Sequence, residues 1–187
     1  MSDQIHIIKT GIPLEVAFIY LAIFAVVAVF LFIGIRSSKE NWLKGILVVL
    51  SVVGLVGAAY LAYRIRILGL LPQCSGGGGC AVVERSSYSE FLGIHMSEYG
   101  IFGYLTILLA SVFNKDIFRL ATFGLATFGF AASLVLTYLE LWQIHAICQW
   151  CVGSAVIMTC LFVVSAVRLY KFYGRDTAET EAELENT

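Results

Sequence analysis

The chain has 187 residues, of which 59% are hydrophobic and 13% are charged, and its formal net charge is −1. A soluble domain of this size carries about a quarter charged residues, so the composition indicates a membrane protein. A net charge close to zero gives no indication of nucleic-acid binding or of an electrostatic attachment to a membrane.

Apolar stretches follow one another along the chain. There are five: Leu14–Ile35, Gly45–Tyr63, Ile101–Phe113, Ile117–Trp142 and Ile147–Val167. A helix needs about 20 residues to cross the hydrocarbon core, and all but the third stretch meet that length as they stand. The third becomes long enough if its helix begins near Met96 or Ser97. The sequence therefore predicts an all-α membrane protein with five spans.

The first stretch could be a retained helix or a cleaved signal peptide. Its apolar core is too long for a signal peptide, only Lys9 precedes it as a basic residue, and no A-x-A cleavage site follows it. Arg36, Lys39 and Lys44 come directly after it and are typical of a cytoplasmic flank. We therefore expect a retained span.

Basic residues predict the orientation in the membrane. They cluster after the first, third and fifth stretches: Arg36, Lys39, Lys44, Lys115, Arg119, Arg168, Lys171 and Arg175. With five spans these clusters share one side, which the positive-inside rule makes cytoplasmic. The segment Leu70–Glu98 and the turn Gln143–Ile147 then face outward at the cell membrane, and the C-terminus is cytoplasmic.

The most informative motif is Cys148-Gln149-Trp150-Cys151, at the outer start of the last stretch. Residues three apart share a helix face, and a helix N-terminus favours a thiolate. Cys151 lies one turn deeper, about 4.5 Å along the axis, so it is placed to meet a molecule in the lipid. His145, three residues before Cys148, could stabilise the Cys148 thiolate.

A second pair of cysteines, Cys74 and Cys80, encloses a serine and four consecutive glycines. Glycine gives the backbone wide freedom, which suits a cysteine that must move. A structural disulfide that pins an exposed loop is the alternative, and zinc binding is a further one, although the spacing is unlike paired zinc knuckles. Cys160 lies about 13.5 Å deeper than Cys151 and on the opposite side of the helix, so we expect it to be a spectator.

The order of these cysteine motifs along the chain resembles that of the vitamin K epoxide reductase family in its prokaryotic form. The loop cysteines are followed by a serine-containing stretch with an apolar half-helix, Ser86–Ile94, and then by the Cys-x-x-C. In the unrelated quinone-linked disulfide oxidases of bacteria the Cys-x-x-C comes first. The resemblance covers roughly residues 44–170, and the chain is too short for the fused thioredoxin-like domain that some members carry.

The resemblance implies an electron relay and a division of the chain. Cys74 would exchange with a separate thioredoxin-like partner and Cys80 would pass electrons to Cys148. Cys151 would face a quinone of the ubiquinone, menaquinone or vitamin K type. We expect residues 1–43 to hold the extra helix and its turn, 44–173 the four-helix catalytic core, and 174–187 a disordered acidic tail.

Two further residues enter as candidate quinone contacts through the resemblance. Ser86 follows Cys80 by six residues and matches the family's loop serine. Phe91 belongs to an amphipathic segment that would form a lid over the quinone, or else simply pack at the membrane surface. The tyrosine of the vertebrate members, four residues after the Cys-x-x-C, is Ala155 here, which leaves the donor to the quinone oxygen unassigned.

The expected function is a quinone-dependent thiol–disulfide oxidoreductase of the membrane that supports disulfide formation in secreted proteins. Reduction of a quinone epoxide is an alternative reaction. A non-enzymatic transporter or scaffold with structural cysteines is the alternative of another class. Against a transporter, the predicted spans hold almost no charged residue away from their ends, and Glu140 lies near the outer end of its span, whereas transport paths usually hold several.

Overall fold

The computed structural model describes residues 40–72 and 79–174, together with residues 181 and 184. The expected N-terminal span, Cys74 with its glycine run, and most of the expected acidic tail lie outside the described residues. Helices and strands are numbered below in chain order within the described part.

The described chain is mainly helical. Helix α1 is Glu40–Ala62 and continues as a π-helical turn, Tyr63–Ile67; the short helix α2 is Gly79–Glu84. Strands β1, Glu90–Phe91, and β2, Ile94–His95, form an antiparallel hairpin. Helix α3 is Met96–Val112, helix α4 is Asp116–Leu139 with a π-helical turn at Glu140–Ile144, and helix α5 is Gln149–Phe172.

Helix length and composition make this a membrane protein. Within the described residues, Glu40–Ile67, Asp116–Ile144 and Gln149–Phe172 are long and apolar enough to cross a bilayer. Helix α3 has 17 residues, about 26 Å, which is the lower limit for a span. Three of the five expected spans thus have full length and a fourth is short, as its sequence indicated.

The four long helices pack as a bundle in which each contacts two others. Helix α1 packs on α3 and α5, and α4 packs on α5 and α3. The interior holds apolar side chains of α1, α3 and α5, among them Leu47, Tyr104 and Leu161. A Cβ on Gly54 would lie 2.3 Å from the Tyr104 ring, so glycine lets α1 and α3 approach closely there.

One end of the bundle is held by a buried charge cluster. The Glu40 carboxylate accepts hydrogen bonds from both Arg119, at 3.1 and 3.0 Å, and Arg168, at 3.3 and 3.2 Å. Arg168, only 1% exposed, also donates to the Ser111 and Phe113 carbonyl oxygens at the end of α3. These contacts join the first turn of α1 to α3, α4 and α5.

The opposite end carries α2 and the hairpin, and here one expectation is wrong. Residues 86–94 form turns and the hairpin rather than a half-helix; the helix of this segment lies earlier, at Gly79–Glu84. The hairpin turns at Leu92 and Gly93, both with positive φ, of 53° and 77°. Two positive φ values are the geometry of a tight two-residue hairpin turn, which a helix cannot contain.

Candidate active site

The Cys-x-x-C pair occupies the start of α5, at the end of the bundle away from the charge cluster. Cys148 is the residue before the helix, with extended backbone at φ −96° and ψ 117°, and Cys151 lies in the first turn. Both sulfurs are free thiols, and Cys148 is 5% exposed. Their spacing brings the two thiols within hydrogen-bond reach of each other, as the sequence predicted.

A sharp connection from α4 places this pair. Helix α4 ends in its π-helical turn, His145 then adopts the left-handed conformation at φ 54°, and the Ala146 N–H donates to the Glu140 carbonyl oxygen at 3.2 Å. Only three residues separate the turn from Cys148. His145 is exposed, and no hydrogen bond joins it to Cys148 in the described part of the chain.

Glu140 is the acidic side chain of the site. It is 5% exposed, and its carboxylate accepts a hydrogen bond from the Cys148 backbone N–H at 3.2 Å. The Cys151 thiol lies within hydrogen-bond reach of the same carboxylate. Among the described residues, no lysine, arginine or histidine forms an ion pair with Glu140. Its contacts are therefore directed at the two cysteines.

The two thiols are not equivalent. The hydrogen bond from the Cys151 thiol lowers the pKa of Cys148, and this outweighs the opposing effects of burial and of the Glu140 charge. Backbone N–H groups of the first helical turn act in the same direction. Cys148 is therefore the more acidic thiol of the reduced pair.

Helix α2 brings another cysteine to the same place. Cys80 is 1% exposed and takes part in a disulfide, while the other described cysteines are free. A Cβ on Gly79 would lie 2.5 Å from the Ile147 carbonyl oxygen, so the two backbones meet with no room for a side chain. Gly79 adjoins Cys80 and Ile147 adjoins Cys148, so this contact joins the two cysteine segments.

A buried hydrogen bond between a histidine and a carboxylate fastens α2 to the start of α3. The Glu84 carboxylate is paired with His95 Nε2, with side-chain exposures of 15% and 6%. The other ring nitrogen accepts from the Ser97 N–H at 3.2 Å, so His95 also caps α3. An Nδ1 that accepts this hydrogen bond carries no proton, which leaves the proton on Nε2, facing Glu84.

The remaining candidate residues lie further from the thiols or make local contacts. The Ser86 hydroxyl donates to the Val83 carbonyl oxygen at 2.6 Å and so closes the end of α2. Phe91 is exposed in the hairpin, and its ring lies 6.3 Å from that of Tyr99. Cys160 is buried among the helices, two turns and more beyond the pair.

A hydrogen bond between two hydroxyl groups lies in the bundle interior below the thiols. Tyr104 of α3 and Ser154 of α5 are joined by a hydrogen bond of 2.8 Å between their hydroxyl groups, one turn beyond Cys151. A groove of about 450 Å³ lies elsewhere, between the far ends of α4 and α5, where Leu120 and Tyr173 are among its lining residues. It is more than about 20 Å along α5 from Cys151, so it plays no part in thiol chemistry.

Three residues of this site, Glu140, Glu84 and His95, were not predicted from the sequence. Glu140 carried the one usable signal, since an ionisable residue within a span is a functional candidate by default. Glu84 and His95 are 11 positions apart, and only the hairpin brings them together. In the described residues, no three His, Cys, Asp or Glu side chains are grouped as a metal site.

The described residues thus form a helical membrane bundle with a buried thiol pair at one end and a disulfide-bonded cysteine packed beside it. The comparison with known families agrees. The chain belongs to the vitamin K epoxide reductase family, whose model matches residues 46–166. It is therefore a membrane oxidoreductase of a quinone-linked family, and the family resemblance read from the sequence is confirmed.

Proposed function

We propose that this protein is a quinone-dependent thiol–disulfide oxidoreductase that supports disulfide formation in secreted proteins. A separate thioredoxin-like partner gives two electrons and two protons to the Cys74–Cys80 disulfide and becomes a disulfide itself. The resulting dithiol reduces a Cys148–Cys151 disulfide. The reduced Cys-x-x-C pair then closes to a disulfide and gives two electrons to a quinone, which takes up two protons and leaves as hydroquinone. The catalytic core of this proposal spans residues 44–173.

The contact between Gly79 and Ile147 is the observation that carries the proposal. Disulfide exchange requires a thiolate to reach the sulfur that it attacks, so the two cysteine pairs must approach each other. Packing of α2 against the residue before Cys148 brings Cys80 to that neighbourhood. A purely structural loop disulfide would not need this approach, since it could close anywhere on the outer surface.

The unequal thiols support the direction of electron flow. Cys148, the more acidic thiol at the helix start, is the group that exchanges with the Cys80 side of the relay. Cys151 lies one turn deeper and faces the interior, where a lipid-soluble quinone would accept the electrons. Ser86 and Phe91 remain candidates for contacts near the quinone, although both make local contacts in this state.

The positions of the charges support an outward-facing active site. The arginines of α4 and α5 lie at one end of the bundle, and the cysteines lie at the other. With the basic end in the cytoplasm, Cys80 and the Cys-x-x-C pair face the oxidising side. A membrane-impermeant maleimide added to intact, reduced cells should then label Cys74. Labelling only after the membrane is opened would contradict this orientation.

Quinone reduction by the purified protein tests the function. With a dithiol as electron donor, we expect reduction of a soluble quinone, lost in Cys151→Ala and kept in Cys160→Ala. Cys160 is the matched control because it is a buried cysteine of the same helix. Turnover that survives Cys151→Ala would refute the assignment, and reduction of a quinone epoxide in place of the quinone would favour the alternative reaction.

A further inference from the structure

Glu140 has no structural task that explains a carboxylate at its position. Removing a carboxylate from water costs several kcal/mol unless hydrogen bonds and an opposite charge compensate for it. Glu140 is 5% exposed, and no basic residue pairs with it in the described part of the chain. A backbone N–H, the 3.2 Å contact with Cys148, could be satisfied equally well by an uncharged amide oxygen.

The second contact of Glu140 is with Cys151, and here a carboxylate can do what an amide cannot, because only a carboxylate can take up the thiol proton. The Cys151 thiol lies within reach of two acceptors, the Cys148 sulfur and the Glu140 carboxylate. While Cys151 keeps its proton, it is a poor nucleophile, because the thiolate is the reactive form. The proton must therefore leave before Cys151 can give electrons to an acceptor, and Glu140 is the carboxylate in contact with it.

We propose that Glu140 is a catalytic residue that takes the proton of the Cys151 thiol and delivers it to the reduced acceptor. This inference rests on the proposed function. The Glu140 carboxylate accepts one proton, Cys151 becomes a thiolate, and the pair of thiols loses two electrons as the Cys148–Cys151 bond forms. The acceptor quinone gains those two electrons, and its two oxygens take the proton from Glu140 and one further proton from solvent.

Other ionisable groups around Glu140 are already engaged. Helix α5 contributes Cys148 and Cys151, which are the reacting pair. Helix α2 packs against the π-helical turn and contributes Cys80 and Glu84. Cys80 is held in a disulfide, and the Glu84 carboxylate is bound to His95 Nε2. None of these is available to accept the Cys151 proton in place of Glu140.

The decisive variant is Glu140→Gln, which keeps an oxygen to accept the Cys148 N–H but cannot take a proton. At neutral pH we expect quinone reduction by the dithiol form to slow by roughly 100-fold, the usual scale of general acid–base catalysis. The deficit should shrink as pH rises, because hydroxide then removes the Cys151 proton. Glu98→Gln is the matched control, since that partly exposed carboxylate lies at the same end and pairs with Arg66.

Chemical rescue separates proton transfer from packing. In Glu140→Ala, added formate should restore part of the quinone reduction, because it fits the space that the carboxyl leaves and is a base. A merely structural role predicts equal losses at every pH and no rescue by formate. Either result, in a wild-type protein that reduces quinone, would overturn the inference while leaving the proposed function intact.

A readout without quinone keeps the inference testable if the wild-type protein reduces no quinone. Infrared difference spectra between the dithiol and disulfide forms, prepared with a thiol buffer, should contain a carboxyl band that Glu140→Gln removes. The band is expected because disulfide formation takes away the thiol that contacts Glu140. A wild-type spectrum without that band would refute the role of Glu140 independently of the electron acceptor.

Discussion

His95 is expected to hold the Cys80-bearing helix in place, and replacing it with alanine tests this. The substitution leaves the Glu84 carboxylate buried without its partner and removes the cap of α3. Leaving a buried carboxylate without its donor costs about 3 kcal/mol, the upper end for an unsatisfied polar group, because the Glu84 side chain keeps only 15% exposure. Loss of a helix cap costs about 1 kcal/mol, and the two costs overlap because one side chain provides both contacts.

A cost of about 3 kcal/mol raises the equilibrium constant for local opening of α2 by roughly 100-fold. Hydrogen exchange measures that constant directly, because amides exchange when the helix opens. We expect the hydrogen-bonded amides at the end of α2, such as that of Arg85, which donates to the Ala81 carbonyl oxygen, to exchange roughly 100-fold faster in His95→Ala. Amides around Leu161, in the bundle core, should be unchanged.

Matched variants separate this effect from general damage. His145→Asn replaces an exposed histidine at the same end, and asparagine tolerates the left-handed backbone found there, so α2 should stay protected. His95→Gln can keep a hydrogen bond to Glu84 and should give an intermediate rate. If the α2 amides of His95→Ala remain as protected as those of the wild type, the contact between Glu84 and His95 does not keep α2 in place.

Three further predictions concern both ends of the bundle. Glu40→Gln leaves Arg168 without its carboxylate and Arg119 with Asp116, and should lower the free energy of unfolding by about 3 kcal/mol in a denaturant titration, against less than about 1 kcal/mol for an exposed carboxylate. Gly79→Ala should slow exchange between the cysteine pairs, measured by quenched alkylation, because its Cβ would meet the Ile147 carbonyl oxygen at 2.5 Å. Alkylation of Cys148 should remain fast below the usual pH range of thiols and fall once pH drops through its lowered pKa; Cys151→Ala, which removes the donor, should move that profile to higher pH if the hydrogen bond is the cause.

The helices were predictable from the sequence because their signal is local. Long apolar runs are required to cross a bilayer, and each described run forms a helix close to its expected bounds. The start of α3 at Met96 also followed from length alone, since a shorter helix could not span. The order of the cysteine pairs was enough to indicate the family, which the match over residues 46–166 confirms.

What the sequence could not predict depends on contacts between distant segments or on unusual turns. The hairpin at Leu92 and Gly93 carries no Asn-Gly or Asp-Gly signal, and an apolar run of this length suits a half-helix equally well. The partner of Glu84 follows only once that hairpin is known. Glu140 was noticed as a charge near the end of a span, but the π-helical turn and the left-handed His145 decide that the chain returns Cys148 to its carboxylate, and no local pattern predicts such a connection.

The two ends of the bundle differ in a way that suits the chemistry. At one end the Glu40 cluster joins all four long helices through regular helix termini. At the other end α1 and α4 both finish in π-helical turns, His145 takes a left-handed conformation, and Cys148 is extended. Such irregular backbone is frequent at functional sites, because it directs side chains where a regular helix could not. Glu140 itself keeps regular helical backbone, with φ −60° and ψ −42°, and its N–H donates to the Leu136 carbonyl oxygen, so α4 fixes the direction of its side chain. The π-helical turn and the left-handed His145 fix the path of the chain that returns Cys148 to the Glu140 carboxylate. Substitutions that restore a regular helix at 140–144 should therefore separate Cys148 from Glu140 and slow quinone reduction as loss of the charge does.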